Sequence, residues 1–147
     1  MKVKIVTDST ADLPPEICRE LDITVIPLKV RFGEKVYEDG VDLSNTAFYD
    51  MLDKIPLSPQ TSAQSPGVFG ATYNRIAQKT DSILSIHIAA SLSATMESAR
   101  IGSQTVDVRV ELVDSGSASM GAWPVDDHCR QSCYRRRIRQ GYQDDPG

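Results

Sequence analysis

Short β-branched runs alternate with amphipathic helical runs through residues 3–114, and this alternation constrains the fold more than any other feature of the chain. The run "VKIVT" (3–7) closes on Asp8 and Ser9. Later strand runs, such as "SILSIHIA" (82–89), are close to continuously apolar. Strands apolar on both faces must be covered on both faces, which is the situation of parallel strands joined by helical crossovers. The pattern predicts an α/β fold, a mostly parallel sheet with helices on both faces.

Each segment carries its own signals. In "ADLPPEICRELD", Asp12 stands ahead of Pro14 and Pro15, which suit a first helical turn, and the spacing predicts that Ile17 and Leu21 face the core. "ITVIPLKVRF" (23–32) reads as a strand in which Leu28, Val30 and Phe32 share one face, and Gly33 permits a turn into "KVYEDG". "SNTAFYDMLDKIP" (44–56) reads as a helix capped by Ser44, with Phe48, Met51, Leu52 and Ile55 on one side and Pro56 at its end. "SPQTSAQS" reads as a polar loop, after which Ser65 caps a helix with Pro66 in its first turn and a stripe of Phe69, Tyr73, Ile76 and Ala77. "SLSATMESARIGSQTV" predicts a further helix with Leu92, Met96 and Ala99 inward, and "VRVELVD" (108–114) a last strand.

Charge and cysteine usage bound the function. The chain has 147 residues, enough for one domain with a core, and a net charge of -4, which argues against a nucleic-acid surface as its main function. "MKVKIVTDST" has too short an apolar run for a signal-peptide core, so it reads as the first strand of a cytoplasmic protein. The three cysteines, Cys18, Cys129 and Cys133, are an odd number and favour free thiols in a reducing compartment.

In parallel α/β folds ligands sit where strands end and helices begin. Four such junctions are rich in hydroxyls and carry no Lys or Arg: "TDST" (7–10), "QTSAQS" (60–65), "AASLSAT" (89–95) and "DSGSAS" (114–119). Ser and Thr are ordinary caps and turn formers. Brought together at one sheet end, the same hydroxyls and free helix amides form an uncharged cradle for an anion. The elbow G-x-S-x-G, the Walker loop and G-x-G-x-x-G are absent. His87, inside an apolar strand, reads as a hydrogen-bonded structural residue. Asp8 and Asp114 both end strands. They leave open a metal-dependent phosphohydrolase or transferase, against the commoner role of a strand-end Asp in capping the next turn.

"TDSTADLP", "TSAQSPGVF", "SLSATMESA" and "VDSGSASMG" resemble, in order and spacing, the signatures of the DegV family over residues 1–121. The resemblance implies a DegV-like N-terminal α/β domain over 1–121, with the family's second domain missing. It also implies a bacterial fatty-acid-binding protein: a carrier subunit, not itself an enzyme, that presents a bound acyl carboxylate to a fatty-acid kinase. The implied ligand is a long-chain fatty acid and the partner the kinase's catalytic protein, with no metal, other cofactor, nucleic acid or stable membrane insertion. Thr61, Ser62, Ser93 and Ala94 are the implied carboxylate site, with Asp8, Ser9, Ser91 and Ser119 in supporting loops. Where the family loop reads Thr-Ser-Gln-Pro-Ser, this chain has Ala63 and Gln64; where it reads Ser-Gly-Thr, this chain has Ser93, Ala94 and Thr95. In the family the walls of the acyl slot come from both domains.

The pattern breaks at "MGAWPVDDHCRQSC" (120–133). Residues 1–121 hold 11 Lys+Arg and 16 Asp+Glu, a net -5, whereas 122–147 hold 5 and 4, a net +1. His128, Cys129 and Cys133 offer three metal ligands with no fourth in a standard spacing. "RRRIR" (135–139) is a basic run among aspartates, which usually means a solvated one. The genetic code offers a third reading. Shifted by one base from Val125 onward, the overlap of Asp126 and Asp127 codons permits only Met or Thr. That of Asp127 and His128 permits only Ile or Thr, and that of Cys129 and Arg130 only Val or Ala. One allowed reading is "LTIIAAKAAIEGAS", a strong helix former with a wide apolar face. The expectation is a frameshift near Gly121, a truncated carrier, and an out-of-frame or disordered tail over 122–147. A nonfunctional fragment is the further alternative.

Overall fold

The computed structural model describes residues 2–56 and 58–119. Readings that fall on the tail, including His128, Cys129, Cys133 and the basic run, lie outside the described residues.

Four strands form a wholly parallel sheet: β1 (Val3–Asp8), β2 (Ile23–Ile26), β6 (Ser82–His87) and β7 (Arg109–Asp114), in the order β2-β1-β6-β7. Helix α3 (Pro66–Ala77) leads into β6, and α4 (Thr95–Ser103) joins β6 to β7. Their apolar stripes close on the sheet. Val6, Ile26 and Ile83 pack with Phe69, Tyr73, Ile76 and Ala99, and Val110 and Leu112 of β7 complete that layer. Alternation along each strand selects these positions, because residues two apart share a face. The short helix α1 (Pro15–Glu20) lies against β2.

A second, smaller sheet is antiparallel, with β3 (Lys29–Phe32) between β4 (Lys35–Glu38) and β5 (Gln60–Ser62). Val30, Phe32 and Leu43 form its core with Phe48 and Met51 of α2 (Asn45–Lys54) and with Ile55 just past its end. Phe32 meets Phe48 edge-on at 5.7 Å. The β3–β4 hairpin turns at Gly33, whose φ of 60° is a conformation that glycine adopts without steric cost.

Several expectations are corrected. "ITVIPLKVRF" is two strands in two sheets. The pairing with β1 ends at Ile26, and Pro27, with no N–H to donate, cannot extend the ladder. "QTS" is a strand, because an edge strand needs only backbone pairing on one side and tolerates exposed polar side chains. Leu21 is 51% exposed, since α1 stops at Glu20 and places Leu21 at its C-cap. Leu52 is 38% exposed, at the rim of the stripe that Phe48, Met51 and Ile55 bury. Leu92 is 65% exposed, because α4 begins only at Thr95 and leaves Leu92 in the loop before it. Ser44 caps α2 as expected, accepting the Ala47 N–H at 3.2 Å. Ser65 takes the cap position of α3, but its hydroxyl makes no capping bond.

Candidate functional site

β1, β6 and β7 end at the same sheet edge in Asp8, His87 and Asp114. Asp8 is buried, and its two carboxylate oxygens are fully used. Oδ1 accepts the Thr10 N–H at 3.1 Å and also the Thr10 hydroxyl. Oδ2 lies 2.8 Å from His87 Nδ1 and accepts the Ile88 N–H at 3.2 Å. Burial opposes ionisation of Asp8, but the hydrogen bonds from His87, Thr10 and Ile88 and the nearby imidazole outweigh it and hold its pKa below the usual carboxylate value.

Behind Asp8 the polar chain continues inward. Ser85 Oγ lies 2.7 Å from His87 Nε2, and the Tyr73 hydroxyl lies 2.8 Å from Ser85 Oγ. Burial pushes the Tyr73 phenol up to about 12, partly offset by its bond to Ser85. A Ser–His–Asp series at these distances matches the arrangement of acyl-transfer enzymes. Here, however, Ser85 is fully buried beneath Tyr73, and Phe69 packs edge-on against the His87 ring at 5.3 Å. No substrate reaches that hydroxyl. The chain of groups acts on what Asp8 holds, the two loops at the sheet edge.

Those loops border a groove of about 430 Å³. Thr61, Ser62 and Ala63 enter it from β5 and the turn after it, and Ser93 and Ala94 from the start of α4. Thr10 and Ile88, both held by Asp8, form the adjoining wall. Leu28, Val30 and Leu92 supply apolar surface, and Asp39 is the one ionisable lining residue among the described residues. Ser93 Oγ accepts the Thr95 N–H at 3.2 Å and lies 2.8 Å from Thr95 Oγ1. This bond shapes the first turn of α4, whose leading amides face no helical acceptor.

The structure therefore brings Thr61, Ser62, Ser93 and Ala94 to one groove, although Thr61 and Ser93 are far apart in sequence. Of the supporting residues, Asp8 holds Thr10 and Ile88, and the Ser9 hydroxyl accepts the Leu28 N–H at 3.0 Å, fixing another groove residue. Ser91 is exposed in the turn before α4, and Ser119, with φ of 56°, ends the described residues; neither lines the groove. Asp114 accepts the N–H of Ala90 at 3.2 Å and of Gly116 at 2.9 Å, a turn-holding role. Both carboxylates thus hold turns, the commoner role of a strand-end Asp. Among the described residues no three His, Cys, Asp or Glu side chains gather as a metal site would. The sequence reading missed Thr10, Leu28, Val30, Asp39, Ile88 and Leu92 as groove residues. Thr10 and Leu92 stood in hydroxyl-rich junctions; the apolar ones read as core. Asp39 also corrects the expectation of an entirely uncharged cradle.

Comparison with known proteins gives this geometry a context. Residues 2–123 match the family model described as an uncharacterised protein of the DegV family. A DegV domain-containing protein of Deinococcus radiodurans is 39% identical over 121 residues, 82% of this chain and 43% of that protein. A structure described as fatty-acid binding of a DegV family protein from Thermus thermophilus superposes with a TM-score of 0.78 at 29% identity, over 99% of this chain and 50% of that one. DegV from Bacillus subtilis, described as a fatty-acid-binding protein, does so with a TM-score of 0.80 at 28% identity over the same shares. The chain thus spans about half the length of the relatives it matches. By the match over residues 2–123 and the shared fold, the chain belongs to the DegV family.

Proposed function

We propose that this chain binds a long-chain fatty acid, with the carboxylate in the groove between β5 and the start of α4. The observation that carries this reading is the convergence of Thr61 and Ser62 with Ser93 and Ala94 beside Leu28, Ile88 and Leu92. Hydroxyls and helix-start amides suit a carboxylate. The apolar neighbours suit the first part of an acyl chain, whose burial contributes about 0.8 kcal/mol per CH₂. The related structures from Thermus thermophilus and Bacillus subtilis, described as fatty-acid binding, support the ligand class.

The same reading makes the protein a carrier rather than an enzyme, presenting its ligand to a kinase in the cytoplasm. Among the described residues no Lys or Arg lines the groove, so none of them ties the carboxylate into an ion pair. One oxygen can then attack the terminal phosphorus of a phosphoryl donor brought by the partner, forming an acyl phosphate as the donor's own P–O bond breaks. No helix among the described residues is long and apolar enough to cross a membrane. For residues 122–147 we propose an out-of-frame tail after a domain ending near Gly121. The family match stopping at residue 123 supports this. The coding DNA tests it: one base added or removed near codon 121 should open a frame encoding further DegV sequence.

Mass spectrometry of lipid released from the purified chain tests the ligand. Saturated or monounsaturated C16 and C18 acids should co-purify or bind on addition. A chain that neither carries nor takes up fatty acid would sink the proposal.

A further inference from the structure

The groove's hydroxyls are not equivalent. An ionised carboxylate only accepts hydrogen bonds, so the Thr10 hydroxyl beside Asp8 Oδ1 must donate to it. The chain behind Asp8 fixes that direction. Tyr73, Ser85, His87 and Asp8 form one buried series. If the imidazole carried a proton on Nε2, Ser85 would accept it, and either the Ser85 or the Tyr73 hydroxyl proton would be left without an acceptor in that series. A partner for every group requires Tyr73 to donate to Ser85, Ser85 to His87 Nε2, and His87 Nδ1–H to Asp8. Every proton points toward Asp8, and Asp8 draws the Thr10 proton away from the groove. Across the groove, Thr61 and Ser62 make no side-chain hydrogen bond among the described residues. Ser93 Oγ accepts the Thr95 N–H and lies 2.8 Å from Thr95 Oγ1, a pair in which either hydroxyl can donate. The Thr61 and Ser62 protons remain available to a ligand.

We propose that Thr10 is a specificity-determining residue of the groove: with its proton held by Asp8, it presents only oxygen lone pairs and steers the ligand's head group toward Thr61, Ser62 and the start of α4. This rests on the groove being the fatty-acid site. A carboxylate, which also only accepts, is repelled from Thr10 and attracted by the opposite wall. A head group with a proton to donate, such as an alcohol, gains a hydrogen bond at Thr10.

The test compares the 147-residue chain with its Thr10→Val and Thr10→Ser variants, each titrated with hexadecanoate and with hexadecanol. Thr10→Val should shift the ratio of affinities toward hexadecanoate. It should weaken hexadecanol by about 2- to 12-fold, the span of one neutral hydrogen bond. Thr10→Ser, which restores the hydroxyl, should restore the wild-type ratio. A ratio shifted toward hexadecanol by Thr10→Val would show Thr10 to be a donor and overturn the proposal, as would an unchanged ratio. Failure of the wild-type chain to bind either lipid would overturn the reading of the site itself. A ligand-free arm addresses Thr10 alone. Nitrogen NMR should show His87 protonated at Nδ1 and bare at Nε2, with a Thr10 hydroxyl proton slow to exchange. A His87 ring protonated at Nε2, or a freely exchanging Thr10 hydroxyl, would overturn the proposal independently of lipid binding.

Discussion

His87 Nδ1 lies 2.8 Å from Asp8 Oδ2, and the same carboxyl group holds both donors of Thr10 and the N–H of Ile88. One buried pair thereby joins the core under α3 to two segments of the groove wall. Because these bonds favour the ionised carboxylate over the opposing effect of burial, Asp8 titrates below its ordinary value of 3.8 in the folded chain. A carboxyl whose folded pKa is depressed contributes stability that is complete above the unfolded value and is lost as pH falls through the folded one. The Asp8 contribution should therefore be constant near neutrality, begin to fall near about pH 4 and be lost as pH drops through the lower folded pKa. Urea midpoints followed from neutral to acid pH should show this loss in the wild type. Asp8→Asn should be less stable at neutral pH by about 1.5–3 kcal/mol, with the gap closing in acid. A gap that stays constant across that range would contradict the assignment.

The α3–α4 contact makes a second prediction. A Cβ on Gly102 would lie 2.6 Å from Phe69 Cβ, 2.8 Å from the Pro66 carbonyl oxygen and 2.9 Å from the Gly70 nitrogen. Two of these are backbone atoms, so neither can move aside alone. Gly-to-Ala in a helix interior ordinarily stabilises by about 1 kcal/mol. Here Gly102→Ala should destabilise by about 1–3 kcal/mol through overpacking. Thermal unfolding checks this, and a raised Tm would show that the two helices can part without cost.

The sequence made the parallel sheet legible because its signals are local. Val6, Ile83, Phe69 and Tyr73 sit at the periods that mark strand faces and helix stripes, and they are the core. The second sheet was hidden because β5 is three polar residues, held by pairing with a strand some thirty positions earlier. The hydroxyl-rich junctions could be read as caps or as a cradle, and spacing alone does not bring Thr61 to Ser93. The bond from His87 to Asp8 was equally invisible, since it depends on where His87 sits on a neighbouring strand. Leu92 was misplaced because a helical period continues through "SLSAT" even though the helix begins only at Thr95.

That misplacement leads to a third prediction. Leu92 is 65% exposed yet borders the groove. Leu92→Ala should change folding stability by no more than about 0.5 kcal/mol, as exposed substitutions do. If the acyl chain lies along it, the same change should weaken fatty-acid binding by about 10-fold or more, the equivalent of the ~1.5 kcal/mol that burial of a leucine side chain contributes at the low end. Denaturant titration and lipid titration on one preparation separate the two effects. Lost stability with unchanged affinity would return Leu92 to the core.

The last prediction concerns the carboxylate itself. Thr61 stands on an edge strand opposite Val30, exposed and with no side-chain hydrogen bond among the described residues, so removing its hydroxyl leaves no buried group stranded. A hydrogen bond to a charged group contributes about 1.5–3 kcal/mol. Thr61→Val keeps the shape and should weaken fatty-acid binding by roughly 10- to 150-fold, following that range, with little change in stability. Ser93→Ala should behave differently. Its hydroxyl shapes the start of α4 through Thr95, so part of its effect should appear as lost stability. Its effect on affinity should be smaller than that of Thr61→Val if the helix-start amides are the main donors, because the substitution leaves them in place. A fatty alcohol of equal length gains less from Thr61, so Thr61→Val should narrow the difference between acid and alcohol. If Thr61→Val binds the acid as tightly as the wild type, the carboxylate lies elsewhere in the groove.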